Sequence, residues 1–63
     1  MLEQAVLREQ VQTLLEKERQ AERAYADMAS KVGEASLKAQ IEQLRRDKQR
    51  HIQLAERLLE ILA

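Results

Sequence analysis

Four side chains capable of acid–base or metal-binding chemistry occur at helical spacing in this sequence. Glu18 and Glu22 are four residues apart, and Lys48 and His51 are three apart, so each pair shares one face of a helix. A carboxylate and an imidazole are ligands for iron or zinc, whereas a carboxylate and an ammonium form an ion pair. Either interaction requires the segment around Glu18 to lie against the segment around His51.

The composition is that of long helices or coiled coils. Of the 63 residues, 35% are charged and 44% are hydrophobic, with one glycine and no proline. A chain this short buries too little apolar surface to be stable without an additional aid. Because it contains no cysteine, disulfides within the chain and thiolate zinc sites are excluded, and oligomerisation becomes the expected aid.

Apolar residues recur at alternating steps of four and three in two segments, which is the pattern of a helical seam. The two seams are Leu7, Val11, Leu14, Glu18, Ala21, Tyr25, Met28 and Val32, followed by Leu37, Ile41, Leu44, Lys48, His51, Ala55, Leu58 and Leu62. This pattern predicts an all-α fold, with a helix over about residues 2–32, a turn at Gly33 and a second helix over about residues 35–62.

The turn at Gly33 predicts an antiparallel helical hairpin. A glycine just past the last periodic residue typically adopts the left-handed conformation that caps a helix C-terminus, and we expect this of Gly33. The residue that caps the N-terminus of the second helix is not identified by the sequence. Facing residues in such a hairpin have a constant sum of residue numbers, which pairs Val32 with Leu37, Met28 with Ile41, Tyr25 with Leu44, Ala21 with Lys48, Glu18 with His51, Leu14 with Ala55, Val11 with Leu58 and Leu7 with Leu62.

Further apolar residues flank both seams and widen each apolar stripe toward the breadth of a four-helix core. They are Leu2, Val6, Leu15 and Ala29 in the first helix, and Ile52, Leu54, Leu59 and Ile61 in the second. We therefore expect residues 1–63 to form one domain that pairs as a homodimer into a four-helix bundle. A larger even-numbered homo-oligomer is the alternative.

The charge pattern argues against two classes of partner. Lys plus Arg and Asp plus Glu number 11 each, so no overall basic field gathers nucleic acid or an anionic membrane. The apolar runs are too short to span a bilayer, and no charged-then-apolar leader precedes the first seam. We expect no nucleic-acid or membrane partner and a cytoplasmic location.

Glu18, Tyr25 seven residues later, and His51 on the next helix resemble the ligand pattern of the ferritin-like superfamily of carboxylate-bridged di-iron proteins. The resemblance is to two-helix members such as the encapsulated ferritins, and more distantly to rubrerythrins, and it covers roughly residues 14–62. It implies a four-helix bundle with iron held at its centre. In that family the second helix carries Glu-x-x-His, whereas this chain has Lys48-x-x-His51, which replaces a bridging carboxylate with an ammonium.

The polar layer formed by Glu18, Lys48 and His51 therefore has two interpretations. In the first it is structural, a degenerate di-iron site in which ion pairs fix the register of the helices. In the second Glu18 and His51 bind a divalent metal, with iron as the first choice, and Glu22 or Asp47 serve as additional ligands. A third possibility is a coiled-coil dimerisation or scaffold module.

Enzymatic activity finds little support in the sequence. No cysteine nucleophile and no glycine-rich phosphate loop are present, and no catalytic residues are predicted. Residual ferroxidase-like activity is the one reaction that the family resemblance suggests, and Lys48 argues against it.

Overall fold

The chain forms two long α-helices. The computed structural model describes residues 2–63, in which α1 spans Leu2–Lys31 and α2 spans Ala35–Leu62. No strand occurs over this range. The all-α prediction is confirmed, and the predicted helix bounds agree with the observed ones to about one residue.

The two helices are antiparallel, as contacts along their whole length indicate. Near the open end of the hairpin the side-chain amide of Gln4 donates to the carbonyl of Leu62 at 3.3 Å. Further along, Arg19 pairs with Glu56 at 3.0 Å. The molecule measures 50 × 14 × 11 Å, which is the shape of one helix lying beside another. The predicted helical hairpin is confirmed.

The connection between the helices is three residues long and corrects the prediction made for Gly33. No described residue, Gly33 included, has a positive φ, so Gly33 is not a left-handed cap. Instead Glu34, with φ −82° and ψ 124°, caps α2: its carboxylate accepts from the backbone N–H groups of Ser36 at 2.9 Å and Leu37 at 2.8 Å. The chain therefore passes from α1 to α2 without a left-handed residue, and α2 begins directly after its Glu34 cap.

The buried contact between α1 and α2 differs in part from the predicted seam. At two of the predicted positions in α1, the next residue in the sequence is buried instead. Leu15 is 6% exposed and Ala29 is 2% exposed, whereas their neighbours Leu14 and Met28 are 58% and 41% exposed. Val11 is buried as expected. The predicted seam positions Leu14 and Met28 are therefore not buried between the helices of one hairpin. The apolar stripe is wider than one seam, and a single neighbouring helix covers only its nearer edge.

In α2 three of the predicted seam positions are likewise exposed: Leu37, Leu44 and Leu58 are 48%, 44% and 43% exposed. Ile41 is buried, and the half-buried positions that continue its column are Arg45, Lys48, Ile52, Ala55, Leu59 and Leu62. In each helix, part of the apolar stripe is buried against the other helix and the rest of the stripe remains exposed.

We predict that Gly33→Ala stabilises the protein by roughly 0.4–1 kcal/mol, because alanine restricts the unfolded chain and the native backbone at this position accepts it. A Cβ atom built on Gly33 meets nothing within 4 Å. Urea denaturation followed by circular dichroism at fixed protein concentration measures the change. A left-handed Gly33 would reverse the result and make Gly33→Asn the milder of the two substitutions, since asparagine tolerates that conformation better.

Candidate functional site

Glu18 binds two side chains of the opposite helix. The Lys48 ammonium donates to Glu18 Oε1 at 3.3 Å, and His51 Nδ1 lies 3.0 Å from Glu18 Oε2. Because an ionised carboxylate only accepts, we assign the proton of this contact to His51 Nδ1. The structure therefore brings the predicted polar layer together, with both oxygens of one carboxylate engaged by the other two residues.

The environment of Glu18 favours its ionised form. Partial burial raises the pKa of Glu18, but the hydrogen bonds from His51 and Lys48, together with their charges, outweigh it and leave the pKa below its usual value. The side chains of Glu18 and Lys48 are 26% and 25% exposed, while that of His51 is 49% exposed. The ion pair thus lies at the edge of the seam, and the imidazole is open on one side.

A second interhelical cluster lies one turn away on the same seam. Arg45 Nε donates to Glu22 Oε1 at 2.9 Å, and the Gln49 side-chain amide donates to the same oxygen at 3.2 Å. The hydrogen bond from Arg45 is the main cause that lowers the pKa of Glu22 below its usual value, against the effect of burial. In turn Glu22 raises the pKa of Arg45.

The sequence did not predict this second cluster, although its residues follow the same four-three spacing. Glu22 lies four residues after Glu18, and Arg45 lies three residues before Lys48, which places both on the side of the polar layer that faces the other helix. The seam therefore contains two consecutive polar layers rather than one.

The two residues predicted as additional metal ligands, Glu22 and Asp47, form hydrogen bonds with side chains outside the polar layer. Glu22 accepts from Arg45 and Gln49, as described above, and Asp47 accepts from Arg50 at 2.8 Å and from Gln43 at 3.2 Å. Within residues 2–63, no group of three or more His, Asp or Glu side chains has an arrangement that could hold a metal ion.

The donor set in one hairpin does not suit a di-iron centre. Such a centre requires several bridging carboxylates, whereas here one carboxylate, one imidazole and one ammonium share the layer. The Lys48 charge also repels a cation from Glu18. The metal ligands Glu18 and His51 remain a prediction, and the polar layer by itself forms an ion-paired contact between helices.

Beside the polar layer lies a broad apolar surface, which we call the apolar face. It consists of six large side chains that are each between 41% and 58% exposed: Leu7, Leu14 and Met28 on α1, and Leu37, Leu44 and Leu58 on α2. Ala21 and His51 occupy the remaining positions of the two seven-residue repeats. The opposite face of the hairpin bears the ion pair between Arg19 and Glu56. The hairpin is thus amphipathic as a whole.

Comparison with known proteins found no match: no family model, no curated protein and no solved structure resembles this chain significantly. The fold and site define a two-helix antiparallel hairpin with an interhelical Glu–Lys–His layer. The likeness to ferritin-like proteins remains a prediction. No helix in residues 2–63 is both long enough and apolar enough to cross a membrane.

We predict that Glu18→Gln makes folding less sensitive to acid. With a lowered pKa in the folded state, Glu18 contributes stability that is complete above its usual value of 4.5 and is lost as the pH falls through the lower folded value. The melting temperature of the wild type should therefore fall more than that of Glu18→Gln between about pH 6 and about pH 3.

Glu60→Gln, at an exposed position of α2, provides the matched control for that measurement and should keep the acid sensitivity of the wild type. Equal losses of melting temperature in the wild type and in Glu18→Gln would contradict the role assigned to the Glu18 carboxylate.

Proposed function

We propose that this protein is a self-associating helical hairpin, in which two copies pack their apolar faces together into a four-helix bundle and the polar layer serves a structural role. The observation that carries the proposal is the exposure of the apolar face, whose six large side chains repeat every seven residues on both helices. Repeats of this kind match the core positions of helical bundles.

The surface area of one hairpin supports this proposal. The chain exposes 4903 Å², whereas a compact monomer of its mass of 7.3 kDa exposes about 4,200 Å². The excess is roughly 700 Å², which is close to the area of about 800 Å² that each partner buries in a typical specific interface. Among residues 3–63, the apolar side chains that are buried in a single hairpin are only Val11, Leu15, Ala29 and Ile41. Pairing would give the chain the core that it lacks.

In such a bundle the polar layer would select one packing among many. Apolar columns alone tolerate a shift of one heptad, whereas sliding α1 along α2 by a heptad would separate Glu18 from Lys48 and His51 and leave them without partners in an apolar core. The proposal keeps the two-helix architecture that the ferritin-like resemblance implies and treats the layer as the structural remnant of a metal site.

We predict that sedimentation equilibrium gives the wild type twice the 7.3 kDa mass of the chain and that Leu44→Glu lowers this to the mass of one chain. Leu44 is 44% exposed on the apolar face, and a buried carboxylate there would lack a partner. Gln53→Glu adds the same charge at an exposed position outside the apolar face and should leave the dimer intact.

A monomeric wild type at micromolar concentration would overturn this proposal. A Leu44→Glu variant that remains fully dimeric would show that copies associate through another surface.

Divalent-metal binding is a second candidate function, because the Glu18 carboxylate and the His51 imidazole lie 3.0 Å apart and the imidazole is half exposed. In the structural interpretation, by contrast, Lys48 occupies the position of a lost carboxylate ligand. Its ammonium then takes the electrostatic place of the cation, which explains why an isolated carboxylate is tolerated at the seam.

We predict that Lys48→Glu gains measurable affinity for Fe²⁺, Zn²⁺ or Mn²⁺ in isothermal titration calorimetry, whereas Lys48→Met, which removes the charge without adding a ligand, gains much less. The added carboxylate completes a Glu-x-x-His pair on α2 opposite Glu18. Absence of binding by Lys48→Glu would refute the idea that Lys48 replaces a metal ion. Stoichiometric binding by the wild type would instead favour the metal-binding function over the structural one.

A further inference from the structure

The apolar face carries opposite charges on its two long edges. On the α1 edge, Lys17 follows Leu14 by three residues, and on the α2 edge, Asp47 follows Leu44 by three. Both residues lie near the middle of their helices, and Asp47 also forms an ion pair with Arg50 of its own helix at 2.8 Å. Since Glu18 binds both Lys48 and His51, Lys17 and Asp47 lie within about one helical turn, roughly 5 Å, of the same height along the hairpin.

Two symmetric arrangements bring the apolar faces of two hairpins together. When the two-fold axis runs along the hairpin, the two connecting loops lie at the same end, and α1 packs against α2 of the partner. When the axis runs across the hairpin, the loops lie at opposite ends, and each helix packs against its own copy.

The edge charges distinguish these arrangements. With the loops at opposite ends, the axis passes near the middle of each helix, so Lys17 approaches the partner's Lys17 and Asp47 approaches the partner's Asp47. With the loops at the same end, heights are preserved, and Lys17 lies along the same edge as the partner's Asp47. Opposite charges at a rim favour an arrangement, and like charges disfavour it. The zero net charge of the chain adds no general repulsion between copies.

The two positions that interrupt the apolar face agree with this assignment. Ala21 is the smallest residue of the α1 column, and His51 is the one polar residue of the α2 column. With the loops at the same end, the partner's His51 lies within about one helical turn, roughly 5 Å, of the height of Ala21, and the small alanine leaves space beside the imidazole. With the loops at opposite ends, His51 instead lies against the partner's Leu44.

We infer that the apolar face binds a second copy of this chain with the two loops at the same end of the bundle and α1 packed on α2 of the partner. This inference rests on the proposed self-association and specifies its geometry. In this dimer the two Glu18–Lys48–His51 layers lie at one height on either side of the axis, so His51, which is exposed in one hairpin, becomes part of the shared core.

Distance measurement between spin labels tests the geometry. The chain has no cysteine, so Gly33→Cys introduces a single labelling site in the loop, where an added Cβ atom meets nothing within 4 Å. We expect pulsed electron paramagnetic resonance on the labelled dimer to give roughly 20–30 Å, which corresponds to the width of a four-helix bundle plus the labels. Loops at opposite ends would give a distance near the 50 Å length of the molecule.

A mixed sample supplies the control, with one copy labelled at Gly33→Cys and the other at Glu3→Cys near the open end of the hairpin. The inferred arrangement requires the long distance in this sample, and the opposite arrangement requires the short one. A dimeric mass with the long distance between two loops overturns the inferred geometry but leaves the proposed self-association intact. A monomeric mass overturns both.

Charge reversal gives an independent measurement. We expect Lys17→Asp to weaken the dimer about two- to five-fold, since it places a carboxylate beside the partner's Asp47, and we expect the double variant Lys17→Asp/Asp47→Lys to recover most of that loss. In the opposite arrangement Lys17→Asp exchanges one like-charge pair for another, so an unchanged dissociation constant would count against the inference.

Discussion

Each helix of this protein has an apolar stripe that is too wide for one neighbour to cover. The packing of α1 on α2 buries the edge that contains Leu15 and Ala29, and it leaves Leu14 and Met28 largely exposed one residue away. The positions of the polar layer and of the apolar face depend on this division. The covered edge fixes the hairpin, and the uncovered edge forms the apolar face, whose burial requires a partner because hydrophobic stabilisation scales with the area removed from water.

The polar layer lies on the boundary between the two edges, which explains its unequal exposure. Glu18 and Lys48 belong to the covered column and are about three-quarters buried, whereas His51 belongs to the uncovered column and remains half exposed. The ion pair therefore joins the two helices of one hairpin, and the imidazole is available to a second hairpin. Because Glu18 bonds to both, a single carboxylate links the packing within one chain to the surface where the proposed dimer would form.

Much of this architecture follows from the sequence. The four-three spacing and the position of Gly33 predicted both helices and their antiparallel arrangement, and the register correctly placed Glu18 against His51 and Lys48. The choice between Leu14 and Leu15 at the seam could not be predicted, because both side chains lie within the same wide stripe. That choice depends on how closely the helices approach each other. The small side chain of Ala29 allows a close approach, which favours burial of the edge that contains Ala29 and Leu15.

The connection between the helices illustrates a second limit of sequence reasoning. A glycine after a helix most often adopts the left-handed conformation, but this tendency holds only when nothing else determines how the next element starts. Here the Glu34 carboxylate accepts two backbone N–H groups of α2. Glutamate is not among the usual N-cap residues, since its longer side chain must bend back to reach them. Residue preferences alone therefore did not predict that Glu34 caps α2.

Electrostatics favours the structural interpretation of the polar layer over the metal-binding one. A bound divalent cation near Glu18 would lie close to the Lys48 ammonium, and removing both charges from water in a dimer core would cost several kcal/mol. In the ion-paired arrangement the carboxylate is neutralised by Lys48 and hydrogen-bonded to His51, so no further positive charge is required. In a two-fold dimer, the negative charge of each Glu18 would be balanced by Lys48 of the same chain, so the two polar layers would need no metal ion. This charge balance favours a structural role for the layer in the assembled bundle.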